Sequence, residues 1–209
     1  MSEFSESYHL EAGDQQEGVG LLRRANLEGF VFPEQNGWVT IIPRSEFGRL
    51  PKGLADANRG WLLHYLLDED GGWMYAILSG PRVTCRYETR WLDWSDKENR
   101  IAIDAGQLDL EVVRSLAERH GEAVELQARL EQILSPRIMT RTDEATGASW
   151  EAFTDWPAEK LDDNVAYAFA RVLGLPRYEW LGWGYLDESE WGRQGAVHVR
   201  STRRRFRFF

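Results

Sequence analysis

The chain has a single cysteine, Cys85, among 209 residues, which excludes an intramolecular disulfide framework. Histidine is scarce: His9, His64, His120 and His198 are scattered, with no HExxH and no CxxC spacing to hold a metal. No run approaches the ~20 apolar residues that a membrane-spanning helix needs. The opening stretch, MSEFSESYHLEAGDQQE, lacks the basic and apolar regions of a secretory signal, so a cytoplasmic location is expected. Neither a GxxxxGK loop ending in Ser or Thr nor a GxGxxG opening a helix after a strand is present. No metal, no cofactor and no catalytic residue is therefore assigned, and the reading leans away from an enzyme.

What the chain does have is acid and tryptophan. Net charge is −9 and ten Trp are present. All 34 acidic residues lie within 1–190 together with 19 of the 25 basic ones, so that part carries −15. Six Arg (193, 200, 203, 204, 205 and 207) follow with no acid among them. A body of this charge repels nucleic acid and favours a basic protein as partner. Tryptophan fills cores and also anchors binding surfaces, and the core is its commoner place.

The segment Trp61–Trp91 has the grammar of three antiparallel strands: Trp61–Leu67, Trp73–Leu78 and Val83–Trp91. Asp68–Gly72 and Gly80-Pro81 supply the turns. Closing both turns tightly pairs Leu67 with Trp73 and Ser79 with Arg82. Strict alternation then places Leu62, His64, Leu66, Met74, Ala76, Leu78, Val83, Cys85 and Tyr87 on one face. The other face holds Leu63, Tyr65, Leu67, Trp73, Tyr75, Ile77, Thr84, Arg86 and Glu88. Both faces are too apolar for water, so the sheet is expected to be covered on both sides. Tyr65, Trp73, Tyr75, Arg86 and Glu88 form the candidate interaction surface, since Tyr and Trp beside one Arg and one Glu suit binding. The competing reading makes the same residues the contact between sheet and helices.

Elsewhere, residues 1–6 are expected to fray and Tyr8–Ala12 to form a short strand. Asp14 can cap a helix that ends before Gly29. Phe30–Phe32 and Trp38–Ile42 read as a hairpin joined through Asn36-Gly37. Leu50–Asn58 reads as a short helix. The expected fold is α+β, with a mostly antiparallel sheet of β-α-β-β-α-β-β-β order in the N-terminal half and a helical C-terminal half packed against it. Residues 1–104 would form the sheet domain and 105–209 the mainly helical region. In the latter, helices are expected from Leu110 to His120, over 123–134 before Pro136, and from Pro157 to Val172. Thr140–Ser149 reads as a flexible loop. Tyr178–Trp191 reads as an aromatic strap lying on the aromatic side of the meander. The last stretch, GAVHVRSTRRRFRFF, is an edge strand or a loose tail.

His64 and Cys85 share a face in this register but lie roughly 9–10 Å apart, two strand spacings, against the ~3 Å of a catalytic hydrogen bond. Asp68-Glu69-Asp70-Gly71 lacks the distal ligands of a calcium loop and reads as a charged hairpin tip. Small size, acidity and tryptophan content are similar to those of many toxin-neutralising and adaptor proteins. The leading expectation is a non-enzymatic inhibitor or adaptor that binds a basic macromolecule. One alternative is an enzyme or small-molecule carrier with a pocket between sheet and helices. Another is nucleic-acid binding through the basic tail, residues 200–209. The oligomeric state is not legible.

Overall fold

The computed structural model describes residues 3–68, 72–91, 101–121, 138–142, 149–153, 165–185 and 188–201. Ten strands are described: β1 (Phe4–Glu11), β2 (Gly29–Val31), β3 (Trp38–Pro43), β4 (Trp61–Asp68), β5 (Gly72–Ser79), β6 (Arg82–Trp91), β7 (Ile101–Gln107), β8 (Ile138–Thr142), β9 (Ser149–Phe153) and β10 (Val197–Val199). The helices are α1 (Gln15–Ala25), α2 (Lys52–Ala57), α3 (Leu110–His120), α4 (Val165–Val172) and α5 (Glu188–Arg193), with a 3₁₀ turn at Trp183–Tyr185. Eight strands form one sheet in the order β10-β2-β3-β1-β4-β5-β6-β7, and β8 pairs with β9 separately. Every pairing is antiparallel. The fold is thus α+β, with the expected β-α-β-β-α-β-β-β order leading the chain and C-terminal helices packed on the sheet.

Both faces of the sheet are covered. On one, Val19 and Leu22 of α1 and Leu54 of α2 pack against Tyr8, Leu10, Val31, Ile41, Leu62 and Leu78. Helix α1 begins where Asp14 accepts a hydrogen bond from the Gln16 amide (2.9 Å) and ends at Asn26, whose φ is 52°. It lies so close to the sheet that a β-carbon on Gly18 would stand 2.7 Å from methyl carbons of both Val31 and Val39. On the opposite face, Val113, Leu116 and Ala117 of α3 and Phe169 of α4 cover Leu63, Tyr65, Trp73, Tyr75 and Ile77. The β2–β3 connection turns through Asn36 and Gly37, both with positive φ (55° and 78°), the backbone that an Asn-Gly pair adopts readily.

The meander closes as the turn chemistry predicts, with Leu67 opposite Trp73 and Ser79 opposite Arg82. Its third strand departs from strict alternation. Leu78 faces Val83, but Ile77 faces Cys85, so one extra residue of β6 is accommodated between them. This bulge exchanges the faces of everything beyond it. Cys85 and Tyr87 join Tyr65 and Tyr75 under the helices, whereas Arg86, opposite Ala76, and Glu88, opposite Met74, turn to the His64 side. The aromatic row is Tyr65–Tyr75–Tyr87, with Tyr87 where Arg86 was expected. His64 and Cys85 consequently stand on opposite faces.

The expectation of a frayed start is also corrected. β1 begins at Phe4 and is an inner strand between β3 and β4. Its polar side chains are buried because each finds a partner: Ser5 Oγ bonds Glu3, the Leu181 amide donates to Ser5 Oγ (3.1 Å), and Ser7 Oγ lies 2.9 Å from His9 Nε2. The strap contains the 3₁₀ turn and α5, and Leu181 and Trp191 pack on Phe30, Phe32 and Ile42 rather than on the meander. Tyr178 is the strap residue that reaches Tyr65, with ring centres 6.3 Å apart. Residues 140–142 and 149 of the expected loop belong to β8 and β9. Val197–Val199 pairs as an edge strand with β2. The charged stretch 93–99, the helix expected over 123–134, the start of the Pro157 helix and residues 202–209 lie outside the described residues.

Candidate binding surface around Phe47

β1 and β3 pair only through residues 8–11 of β1; before Tyr8 the two strands part. The segment after Arg177 enters the fork. Glu6 N donates to Leu181 O (2.6 Å), and Trp180 N donates to Glu3 Oε1 (2.6 Å). A cavity of ≈ 300 Å³ remains in the fork, lined by Phe4, Glu6, Tyr8, Pro43, Phe47 and Trp183 among others. Phe4 and Phe47 stand at its mouth, 39% and 44% exposed, with rings edge to face at 6.1 Å.

The polar wall of this cavity is a buried network. Glu6 Oε1 accepts from the Tyr8 hydroxyl (3.0 Å) and lies 2.8 Å from His64 Nε2, while Oε2 accepts from the Gly48 amide (3.3 Å). His64 is fully buried and stacks on Tyr8 with ring centres 4.3 Å apart. Its Nδ1 has no hydrogen-bond partner among the described residues, and Nε2 is the nitrogen turned to the Glu6 carboxylate. Burial, then the neighbouring Glu6 carboxylate, hold the Tyr8 phenol far above its ordinary range. Tyr8 thus donates to Glu6, and Glu6 is the carboxylate that lines the cavity.

A second cavity, ≈ 310 Å³, also borders Phe47 and is lined by Gly48, Leu66, Asp68, Trp73, Met74, Glu88 and Thr89 among others. Phe47 is a wall of both. Each cavity thus combines an aromatic side with at least one carboxylate residue: Glu6 in the first, Asp68 and Glu88 in the second.

The five residues singled out from the sequence divide across the sheet. Tyr65, Trp73 and Tyr75 are 0%, 5% and 0% exposed in the core under α3 and α4. Phe169 stacks on Tyr75 with ring centres 4.2 Å apart. Arg86 and Glu88 sit on the other face and form an ion pair. Trp73 and Glu88 are brought together as lining of the second cavity. Glu6, Phe4, Phe47 and Trp183 were not anticipated. The available signal was the alternation Phe4, Glu6, Tyr8, Leu10, which continues the strand period through a stretch that polarity disguises.

Cys85 is a core thiol. It accepts from the Asp109 amide (3.2 Å) at the start of α3, and burial raises its pKa. Among the described residues no three His, Cys, Asp or Glu side chains are grouped so as to hold a metal ion, and no helix is long and apolar enough to cross a membrane. Aromatic clusters and ion pairs around the sheet, such as Arg86–Glu88, are consistent with a non-catalytic protein-binding surface. Comparison with protein-family models, with curated proteins and with solved structures found no match.

Proposed function

We propose that the protein is a non-enzymatic binding protein, inhibitor- or adaptor-like, whose acidic and aromatic surface around Phe47 engages a basic macromolecule, most simply a basic protein in the cytoplasm. The observation that carries this reading is Phe47 itself: a large apolar ring, 44% exposed, shared by two cavities that both contain carboxylate residues. Exposed aromatic anchors flanked by charge are the usual source of binding energy in protein interfaces. The net charge of −9 adds long-range attraction for a basic partner. Within this reading Trp73 and Glu88 contribute to the second cavity, Arg86 orients Glu88, and Tyr65 and Tyr75 support the surface from the core.

A small-molecule reading draws on the same fork, because Glu6 and Tyr8 converge on one cavity. The Tyr8 phenol stays protonated and donates to Glu6, an arrangement better suited to holding a ligand than to abstracting a proton. Capture from a cell extract at low and high salt tests the principal reading. A basic protein retained at low salt and released at high salt is expected. Retention of no macromolecule at low salt contradicts it, and loss of all binding on deleting residues 200–209 would transfer the function to the tail.

A further inference from the structure

We infer that the fork cavity beside Glu6 is a receptor for one guanidinium group, an arginine side chain of the basic partner; this rests on the binding reading above and deepens it. Among the described residues the side chains lining the wall include one carboxylate, Glu6, and no Lys or Arg. That carboxylate accepts from two neutral groups, the Tyr8 hydroxyl and the Gly48 amide, and its Oε1 also lies 2.8 Å from His64 Nε2. An anion placed there would be repelled by Glu6, and a wholly apolar group would cover that carboxylate with hydrocarbon. A cation is attracted by it.

The remaining walls select among cations. Phe4, Phe47 and Trp183 line the space with aromatic rings. A flat, weakly hydrated guanidinium stacks on such rings and loses less on desolvation than a compact ammonium. The molecule already provides an instance: the guanidinium carbon of Arg44 lies 5.5 Å from the centre of the Trp183 ring. The ≈ 300 Å³ of space is at the small end for ligand sites, enough for a side chain and little more.

The test uses the full-length protein labelled with ¹⁵N and titrated with N-acetyl-arginine amide, N-acetyl-lysine amide and the neutral isostere N-acetyl-citrulline amide. Saturable amide shifts confined to residues 4–8, 44–48 and 182–184 are expected with the arginine probe. Binding at least tenfold weaker is expected with lysine, and none with citrulline. Phe47→Ala, at the exposed mouth, should weaken arginine at least tenfold; Glu6→Gln should abolish it while the rest of the spectrum persists. Equal binding of citrulline or lysine, or no saturable shift in these segments, overturns the inference. Salt-sensitive capture of a basic protein together with no arginine binding would remove the guanidinium receptor alone. Arginine binding without any captured partner would remove the macromolecular reading instead.

Discussion

Cys85 lies directly across the ladder from Ile77, one residue out of step with Val83 opposite Leu78. This offset decides which side chains of β6 meet the helices. It brings Tyr87 to within 5.2 Å of Trp73, ring centre to ring centre, and 5.9 Å of Tyr75. It also sends Arg86 to the other face, where its side chain is 42% exposed. Tyr87→Ala should therefore destabilise by about 3–5 kcal/mol, as for a large aromatic removed from a core. Arg86→Ala should cost no more than about 1 kcal/mol, as for a partly exposed ion pair. Chemical denaturation of the two variants checks this; the reverse order would restore the regular register.

His9 supplies a pH dependence. It is fully buried on the side away from His64, and desolvation first, then the charge of Arg177, lower its pKa to about 3. The unfolded chain binds a proton near pH 6.5 that the folded protein does not. Stability due to this group is intact above pH 6.5, falls as pH drops through the interval from 6.5 to about 3, and levels off below it. Between pH 7 and pH 5 the loss should be about 2 kcal/mol. His9→Gln, which retains a hydrogen-bonding group toward Ser7 and Thr40, should remove that increment when the two proteins are unfolded in urea at both pH values.

Gly18 tests the packing of α1. Alanine is the better helix former by roughly 0.8–1.0 kcal/mol, but its methyl would clash with Val31 and Val39 at 2.7 Å. Overpacking of this kind costs about 1–3 kcal/mol. A lower Tm for Gly18→Ala is expected, and a higher one would mean that α1 stands farther from the sheet.

The parts of the fold that could be read from the sequence are those with local causes. Asp14, Asn36-Gly37 and the Gly80-Pro81 turn act on the backbone within a few residues of themselves, and the pairings Leu67–Trp73 and Ser79–Arg82 follow from turn length alone. The bulge was not legible because Val83-Thr84-Cys85-Arg86 alternates as well as any regular strand and carries no glycine to mark the extra residue. The start of β1 was not legible because the partners of Glu3 and Ser5 come from residues 167–181, far along the chain. The same distance hid the cavity. Glu6 looks like one solvated acid among 34 until Leu181 enters the fork and Phe47 comes to line the same cavity.

The surface around Phe47 is tested most directly by the dissociation constant of the captured basic protein, measured for the wild type and for Phe47→Ala at low and high salt. The expected result is at least a tenfold weakening by the substitution, about 1.4 kcal/mol, and a further loss with salt for both proteins. Equal affinity of the two proteins, at either salt concentration, would contradict it.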